Sequence, residues 1–424
     1  MYSNFINKFN DLYDACVPIK KVNLRKKHEP HSPWITRGIL NSINHKNKLY
    51  KSFLKHRTTD RQERYKIFRN KLNSLIRKAK KSYFTNKLNK YRNSMRNTWK
   101  VLKNILNKNK TSNYTTKFHD NNKVYTDPND ISNGFNNYFV NIGPNLASSM
   151  EDIPDIDYSH YLSKSMIRNN SSIFFSPITE CEILKIINGL DSNKSPGHDG
   201  LGSFIIKKVA PMILKPLQII FNKSICTGKV PDSFKIAKVI PLYKKDDSEL
   251  FSNYRPVSVL PILSKVLERL VFNRCMSYLD HHKILYKRQY GFRKNHSTYM
   301  AVIDLVNKIT DAVNSDNFTA GVFLDLSKAF DTINHSILLD KLHHYGFRGI
   351  THKWFVDYLS NRKQYVHYND TSSQYKHITC GVPQGSILGP LLFILYVNDI
   401  HLVTNSLDVI SFADDKFILL SQPN

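Results

Sequence analysis

The sequence predicts an α+β fold preceded by a basic α-helical region, and three observations carry that expectation. Apolar runs of strand length end at carboxylates, capped amphipathic segments recur at helical spacing, and beyond residue 176 the two kinds of segment alternate. The 424 residues, 41% of them hydrophobic, can bury a large core in two or three domains. The expected division is a basic helical region over 1–110, a helix with a polar linker over 111–175, and the α+β region over 176–424.

Charge sets the first region apart. Residues 1–110 hold 29 Lys and Arg against 5 Asp and Glu, so +24 of the net +28 lies there and the remainder is close to neutral. Such a polycation is the footprint of phosphate binding, with released counterions supplying affinity. Ser32-Pro33 is expected to open a helix, since Pro is tolerated in a first turn. Asp60 and Glu63 are expected to cap a longer one, along which Tyr65, Phe68, Leu72, Leu75, Ile76, Ala79 and Tyr83 recur at helical spacing. Rings at that spacing read as core or helix-pair contacts, which leaves the Lys and Arg side chains for nucleic acid.

Asp127-Pro128 begins another expected helix, carrying Ile131, Phe135, Tyr138 and Ile142 and closed by Gly143-Pro144. Residues 145–175 read as a polar linker. Thr179 and Glu182 form a capping box before a helix that Asn188-Gly189 ends. The five Cys show no paired spacing, which argues against a zinc ribbon or a disulfide framework. His281-His282 and His343-His344 read as residues near helix ends. The longest apolar stretch, Ile387 to Val397, contains Gly389-Pro390 and is too short to span a bilayer, so a buried helix and an intracellular protein without membrane partners are expected.

The chemistry is concentrated in carboxylates. Gly321-Val322-Phe323-Leu324 reads as a strand ending at Asp325, while Val409-Ile410 and Phe417-Ile418-Leu419-Leu420 read as hairpin arms flanking Asp414-Asp415. Carboxylates brought within a few ångströms repel unless a cation sits among them. Mg²⁺ suits such a place because it takes hard oxygen ligands and shares them with substrate phosphates. Two ions there, with Mn²⁺ as an alternative, would serve in-line nucleotidyl transfer. Asp331 reads instead as the cap of a helix beginning near His335.

Seven blocks in order carry a resemblance. They are Ser195 to Gly200 (SPGHDG), Ala237 to Lys245 (AKVIPLYKK), Asn253 to Ser258 (NYRPVS), Gln289 to Arg293 (QYGFR), Phe323 to Asp331 (FLDLSKAFD), Cys380 to Pro390 (CGVPQGSILGP) and Phe412 to Asp415 (FADD). The chain resembles the reverse transcriptases of non-LTR retrotransposons of the jockey and chicken-repeat-like kind. That resemblance implies a right-hand polymerase with fingers and a ferredoxin-like palm, an RNA template, a DNA primer and deoxynucleoside triphosphates. It also implies an intracellular ribonucleoprotein shared between nucleus and cytoplasm. The oligomeric state stays open.

The resemblance also implies roles. Asp325, Asp414 and Asp415 become catalytic metal ligands, with the Leu326 carbonyl a further one. Phe330 takes the place of the ring that meets the sugar 2′ position and excludes ribonucleotides. Lys244, Lys245 and Arg255 fall where basic residues grip the triphosphate, and Arg suits this through its planar, permanently charged fork. Lys244 and Lys245, if on one strand, face opposite ways, so one of them is expected to reach the phosphate. Gln384 and Gly385 form a turn in which Gly lets the backbone approach a base pair.

Members of this group usually carry an endonuclease before the polymerase and a thumb after it. Residues 1–150 show no endonuclease pattern, and the chain stops at Asn424, shortly after Asp415, so a truncated frame without a thumb is the expectation. Two other classes share features: a group II intron maturase or RNA-templated RNA polymerase would share the carboxylates, and a non-enzymatic RNA-binding remnant would share the basic region.

Overall fold

The computed structural model describes residues 1–18, 32–106, 115–120, 123–149, 170–402 and 407–423. The chain divides into two units, one of Asp14–Tyr114 and one of Met1–Tyr13 with Thr115–Asn424. Helix α1 (Tyr2–Cys16) opens the chain, and its Tyr2 ring meets Phe234 edge-on at 4.5 Å within the larger unit.

In the smaller unit, α2 (Arg37–His56) starts where the Thr36 hydroxyl accepts the Ile39 N–H at 3.4 Å, and ends at Arg57 in the left-handed conformation. The opening is therefore four residues later than Ser32-Pro33 suggested, because Thr36 supplies the capping oxygen. Helix α3 (Thr59–Lys90) follows Thr58, and α4 (Met95–Ile105) completes the unit. Asp60 lies inside the first turn of α3, paired with Arg64 at 3.2 Å, and does not cap with Glu63. There its charge still complements the helix dipole. The aromatic residues of α2 and α3 meet as a helix pair: His45 against Phe68 at 4.9 Å and Tyr50 against Tyr65 at 5.0 Å. The Lys80 ammonium lies 5.1 Å from the centre of the Trp34 ring.

The larger unit begins with a hairpin, β1 (Phe118–Asp120) and β2 (Lys123–Tyr125), and α5 (Pro128–Ser148), whose cap Asp127 accepts the N–H groups of Asn129 and Asp130 at 2.9 and 3.2 Å. Gly143-Pro144 does not end α5. Its buried face, Ile131, Phe135, Phe139 and Ile142, holds the helix in place and outweighs the one hydrogen bond that Pro144 removes. Gly143 instead permits a close approach: a Cβ there would stand 2.3 Å from the Cys380 sulfur and 2.6 Å from the Asp331 carbonyl oxygen. Of the expected linker, Asn145–Ser148 is helical and Ile173 is buried, with its N–H bonded to the Gly346 carbonyl; 150–169 lie outside the described residues.

Helix α6 (Glu180–Gly189) carries the Thr179–Glu182 capping box, and α7 (Ser203–Thr227) ends at Gly228 in the left-handed conformation. Then come β3 (Ile236–Tyr243), β4 (Tyr254–Val259), α8 (Ile262–His281), α9 (Thr298–Asn314), β5 (Asn317–Asp325), α10 (His335–His344) and α11 (Gly349–Leu359). Strands β6 (Lys363–Tyr368), β7 (Thr371–Ser372) and β8 (Lys376–His377) precede α12 (Gly389–Tyr396), which is buried nearly throughout, and the last pair is β9 (Asp408–Phe412) and β10 (Asp415–Pro423). One sheet runs β4-β3-β6-β7 with β8 also on β6, its β3–β6 pair parallel; the other runs β5-β10-β9 and is antiparallel. The fold is thus mixed α+β. Among the described residues no helix is long and apolar enough to cross a membrane.

Candidate active site

β5 and β10 pair so that Asp325 stands directly opposite Asp415, and Asp414 occupies the turn between β9 and β10. Directly opposed residues of an antiparallel pair hold their Cβ atoms roughly 5 Å apart. Burial and the charges of Asp414 and Asp325 push the Asp415 carboxyl above the usual range, while Lys416 opposes them. Asp325 and Asp414 line a cavity of about 530 Å³. Lys244, Lys245 and Arg255 line the same cavity, and Leu326 and Phe330 form part of its wall.

The turn bearing Asp414 is fixed from behind. Ala413 adopts a left-handed φ of 57°, and both of its backbone polar groups are held by buried side chains. Gln289 accepts the Ala413 N–H at 3.0 Å and the Gly291 N–H at 2.8 Å, while Lys416 donates to the Ala413 carbonyl at 2.6 Å. A Cβ on Gly291 would lie 2.2 Å from the Ala413 nitrogen, so only glycine permits this contact. Burial lowers the Lys416 ammonium to about 8, against the raising influence of Asp414 and Asp415.

Lys244 and Lys245 both line the cavity, contrary to the expectation that one would face away. β3 ends at Tyr243, so strand alternation no longer governs them, although the Lys244 N–H still bonds the Asn253 carbonyl at 2.8 Å. Arg255 lies on β4 opposite Leu242 and is exposed to the cavity.

Phe330 is both wall and core. Its ring stacks on Phe393 at 4.9 Å and meets Phe292 edge-on at 5.8 Å, and it packs against the main apolar cluster. It sits in a turn of residues 327–331 and does not enter a helix directly. Asp331 is not the cap of α10. Asn334 is, accepting the N–H groups of Ser336 and Ile337 at 2.9 and 3.3 Å, because the turn places it next to the first helical residue. Asp331 turns into the cavity wall and accepts a hydrogen bond from the Gln384 amide at 2.8 Å.

Gln384 and Gly385 do form a turn. The close approach that Gly385 permits is to β4: at its φ of 120° an added Cβ would fall 2.5 Å from the Ser258 carbonyl oxygen. The following N–H groups, of Ile387 and Leu388, point at Glu268, a buried carboxylate at 2.6 and 3.4 Å. Burial pushes Glu268 upward, and these hydrogen bonds and the Arg362 charge act against it. The Ser195–Gly200 loop is not part of the cavity lining. Spacing and residue type do not single out Gln289, Glu268 or Lys416; the one signal for Gln289 is that it opens one of the seven blocks.

As the side chains stand, no three His, Cys, Asp or Glu residues among the described ones are drawn into a ready-made metal cage. The donor set, carboxylates beside a backbone carbonyl, nonetheless suits a hard cation that completes its shell with water and phosphate oxygens.

Residues 243–424 match the family described as reverse transcriptase (RNA-dependent DNA polymerase). The chain is 32% identical over 256 residues to the RNA-directed DNA polymerase from mobile element jockey of Drosophila melanogaster, covering 58% of this chain and 28% of that protein. It is 31% identical over 249 residues to the probable RNA-directed DNA polymerase from transposon X-element of the same fly, covering 57% and 27%. The matched region thus spans about a quarter of the length of these relatives. Seven motif blocks in order, and Asp325 and Asp414 at one cavity, accompany this similarity, which over residues 243–424 is to the reverse transcriptase family and over the longer matches is to RNA-directed DNA polymerases of Drosophila mobile elements.

Proposed function

We propose that the chain extends a DNA primer along an RNA template, with residues 176–424 as fingers and palm, 111–175 as a connecting segment and 1–110 as a basic arm for RNA. The observation that carries this reading is one cavity lined both by Asp325 and Asp414 and by Lys244, Lys245 and Arg255. Its volume of about 530 Å³ lies within the range of small-ligand pockets. It offers cation-binding oxygens and phosphate-binding cations together, which is what a nucleoside triphosphate requires.

Asp325 and Asp414, with Asp415 and the Leu326 carbonyl, would hold two Mg²⁺ ions, or Mn²⁺ in their place. Bound there, such ions lower the pKa of an attacking hydroxyl and stabilise charge on phosphate oxygens. Arg255 and the two lysines neutralise the triphosphate and orient it. Phe330, braced by Phe393, presents a rigid ring that leaves no room for a 2′-hydroxyl. Gln384 offers the nucleotide a polar contact, and Gly385 keeps the Gln384 backbone against β4. The setting is inside the cell, as a ribonucleoprotein. The +24 over residues 1–110 also supports a protein that binds RNA without catalysis, and one assay separates the two.

That assay is single-nucleotide addition to a DNA primer annealed to RNA, in Mg²⁺. The chain is expected to add deoxynucleotides, and Asp325→Ala or Asp414→Ala to lose about 1000-fold or more in rate, the scale of several kcal/mol of charge stabilisation. RNA affinity should be unchanged in both. Phe330→Ala should raise ribonucleotide use relative to deoxynucleotide use. Near-normal addition by either Asp variant would overturn the assignment, and RNA binding without any addition by the parent chain would favour the binding protein.

A further inference from the structure

We infer that Asp331 is the positioning residue for Gln384, setting which end of its amide faces the nucleotide; this rests on the proposed nucleotide contact of Gln384. The main chain of Gln384 is pinned first. Its carbonyl accepts the Ser258 N–H at 2.7 Å, and Gly385 lets the turn lie flush on β4. The side chain is pinned second, by the 2.8 Å bond from Nε2 to the Asp331 carboxylate. With both ends held, the amide has one remaining freedom, a rotation that exchanges oxygen and nitrogen.

Asp331 removes that freedom. An ionised carboxylate only accepts hydrogen bonds, so the amide must turn its NH₂ to Asp331, which leaves its oxygen as an acceptor for a donor group on the ligand, such as a sugar hydroxyl.

The loop carrying Asp331 is itself locked against the loop carrying Gln384. The Val382 N–H bonds the Phe330 carbonyl at 2.8 Å, the Gly381 N–H bonds the Ile333 carbonyl at 2.8 Å, and the His335 ring bonds the Gly381 carbonyl at 2.7 Å. Gly381 and Gly143 both lie so close to Asp331 that a Cβ on either would clash with its backbone. An arrangement pinned from α5, β4 and two loops is rigid enough for one hydrogen bond to select an amide orientation.

Titration of Asp331 supplies the readout. Burial pushes its carboxyl up to about 6, against the Gln384 hydrogen bond and the Lys328 charge. The groups around it are Lys328 on its own loop, Tyr138 on α5, and Cys380 on the facing loop, with Lys244 and Arg255 beyond Lys328. Below that pH the neutral carboxyl can donate as well as accept, and the amide is released to turn over.

The test is equilibrium binding of a fluorescent deoxynucleoside triphosphate, with Mg²⁺ and a fixed RNA–DNA template-primer, by the full chain and by Asp331→Asn across pH 5–8. The parent chain should bind about fivefold more tightly than Asp331→Asn at pH 8, the scale of one hydrogen bond, and the advantage should vanish near pH 5. The phosphate's own titration is common to both proteins and cancels in the ratio. In a Gln384→Ala background, Asp331→Asn should have no further effect. A pH-independent ratio, or the same Asp331 effect without Gln384, would overturn the inference while leaving the Gln384 contact standing. Unchanged affinity in Gln384→Ala, or no measurable binding by the parent chain, would overturn the reading beneath it.

Discussion

β3 and β4 rest on stacked rings, whereas β5 lies at a sheet edge with its apolar side chains in solvent. Behind the first sheet, Phe118 stacks on Phe251 at 5.1 Å, and Phe135 meets Phe251 at 4.6 Å, in a cluster that also takes in Tyr254 and Tyr368. Behind the second, the buried apolar cluster among the described residues is Ala301, Ile410 and Leu419, with Tyr290, Leu305 and Phe417 packed against it. On β5, Phe318 is 69% exposed and Phe323 64%, with Val322 and Leu324 also exposed. The side of the cavity that bears Arg255 is therefore held by packing. The side that bears Asp414 is held by a few buried polar contacts, chiefly those that Gln289 and Lys416 make to Ala413. Packing spreads its cost over many atoms, while a polar clamp concentrates it in one or two side chains.

Three changes would break or sharpen that contrast. Phe135→Ala, in the ring cluster, should lower the unfolding free energy by about 3–5 kcal/mol in urea titration, because it opens a cavity among rings that cannot easily close. A loss under about 1 kcal/mol would show that the first sheet does not depend on its rings. Gln289→Leu should cost about 1–3 kcal/mol, since two buried N–H groups lose their acceptor. It should also reduce nucleotide addition further than that loss explains, because the Asp414 turn is freed; equal activity per folded molecule would mean that the turn holds its shape alone. Phe323→Thr should move stability by less than about 0.5 kcal/mol while raising the concentration at which the chain aggregates, since it removes exposed apolar area from an edge strand. A large destabilisation there would mean that β5 is packed in solution.

What could be read in the sequence followed local rules. The capping box of α6, the buried α12, Asp325 at a strand end and Asp414 at a hairpin tip need only spacing and residue type, and the structure has them. The failures were tertiary. Gly143-Pro144 reads as a helix stop, yet Gly143 serves a contact with Asp331 and Cys380, residues remote in sequence. Asp331 reads as a cap because a turn of residues 327–331 is indistinguishable from a helix approach without its partner Gln384. Opposite faces for Lys244 and Lys245 require both to lie on one strand, and β3 ends before them at Tyr243. Lys416 gave no signal at all, because a lysine in a strand reads as a solvent-facing residue and here is fully buried.

The clamp on Ala413 also bears on how the chain folds. Gln289 and Ala413 are 124 residues apart, and the β5–β10 pairing that opposes Asp325 to Asp415 is likewise long-range. Contacts of that span close large loops before any interaction compensates the lost entropy, so they form slowly. Helices such as α3 and the α6 capping box need only near neighbours and can form within microseconds. The acidic corner should thus be a late acquisition in refolding, appearing after most of the helical signal has returned. During that interval the apolar β5 edge is unpaired as well as exposed, which makes dilution and low temperature the natural conditions for recovering the folded chain.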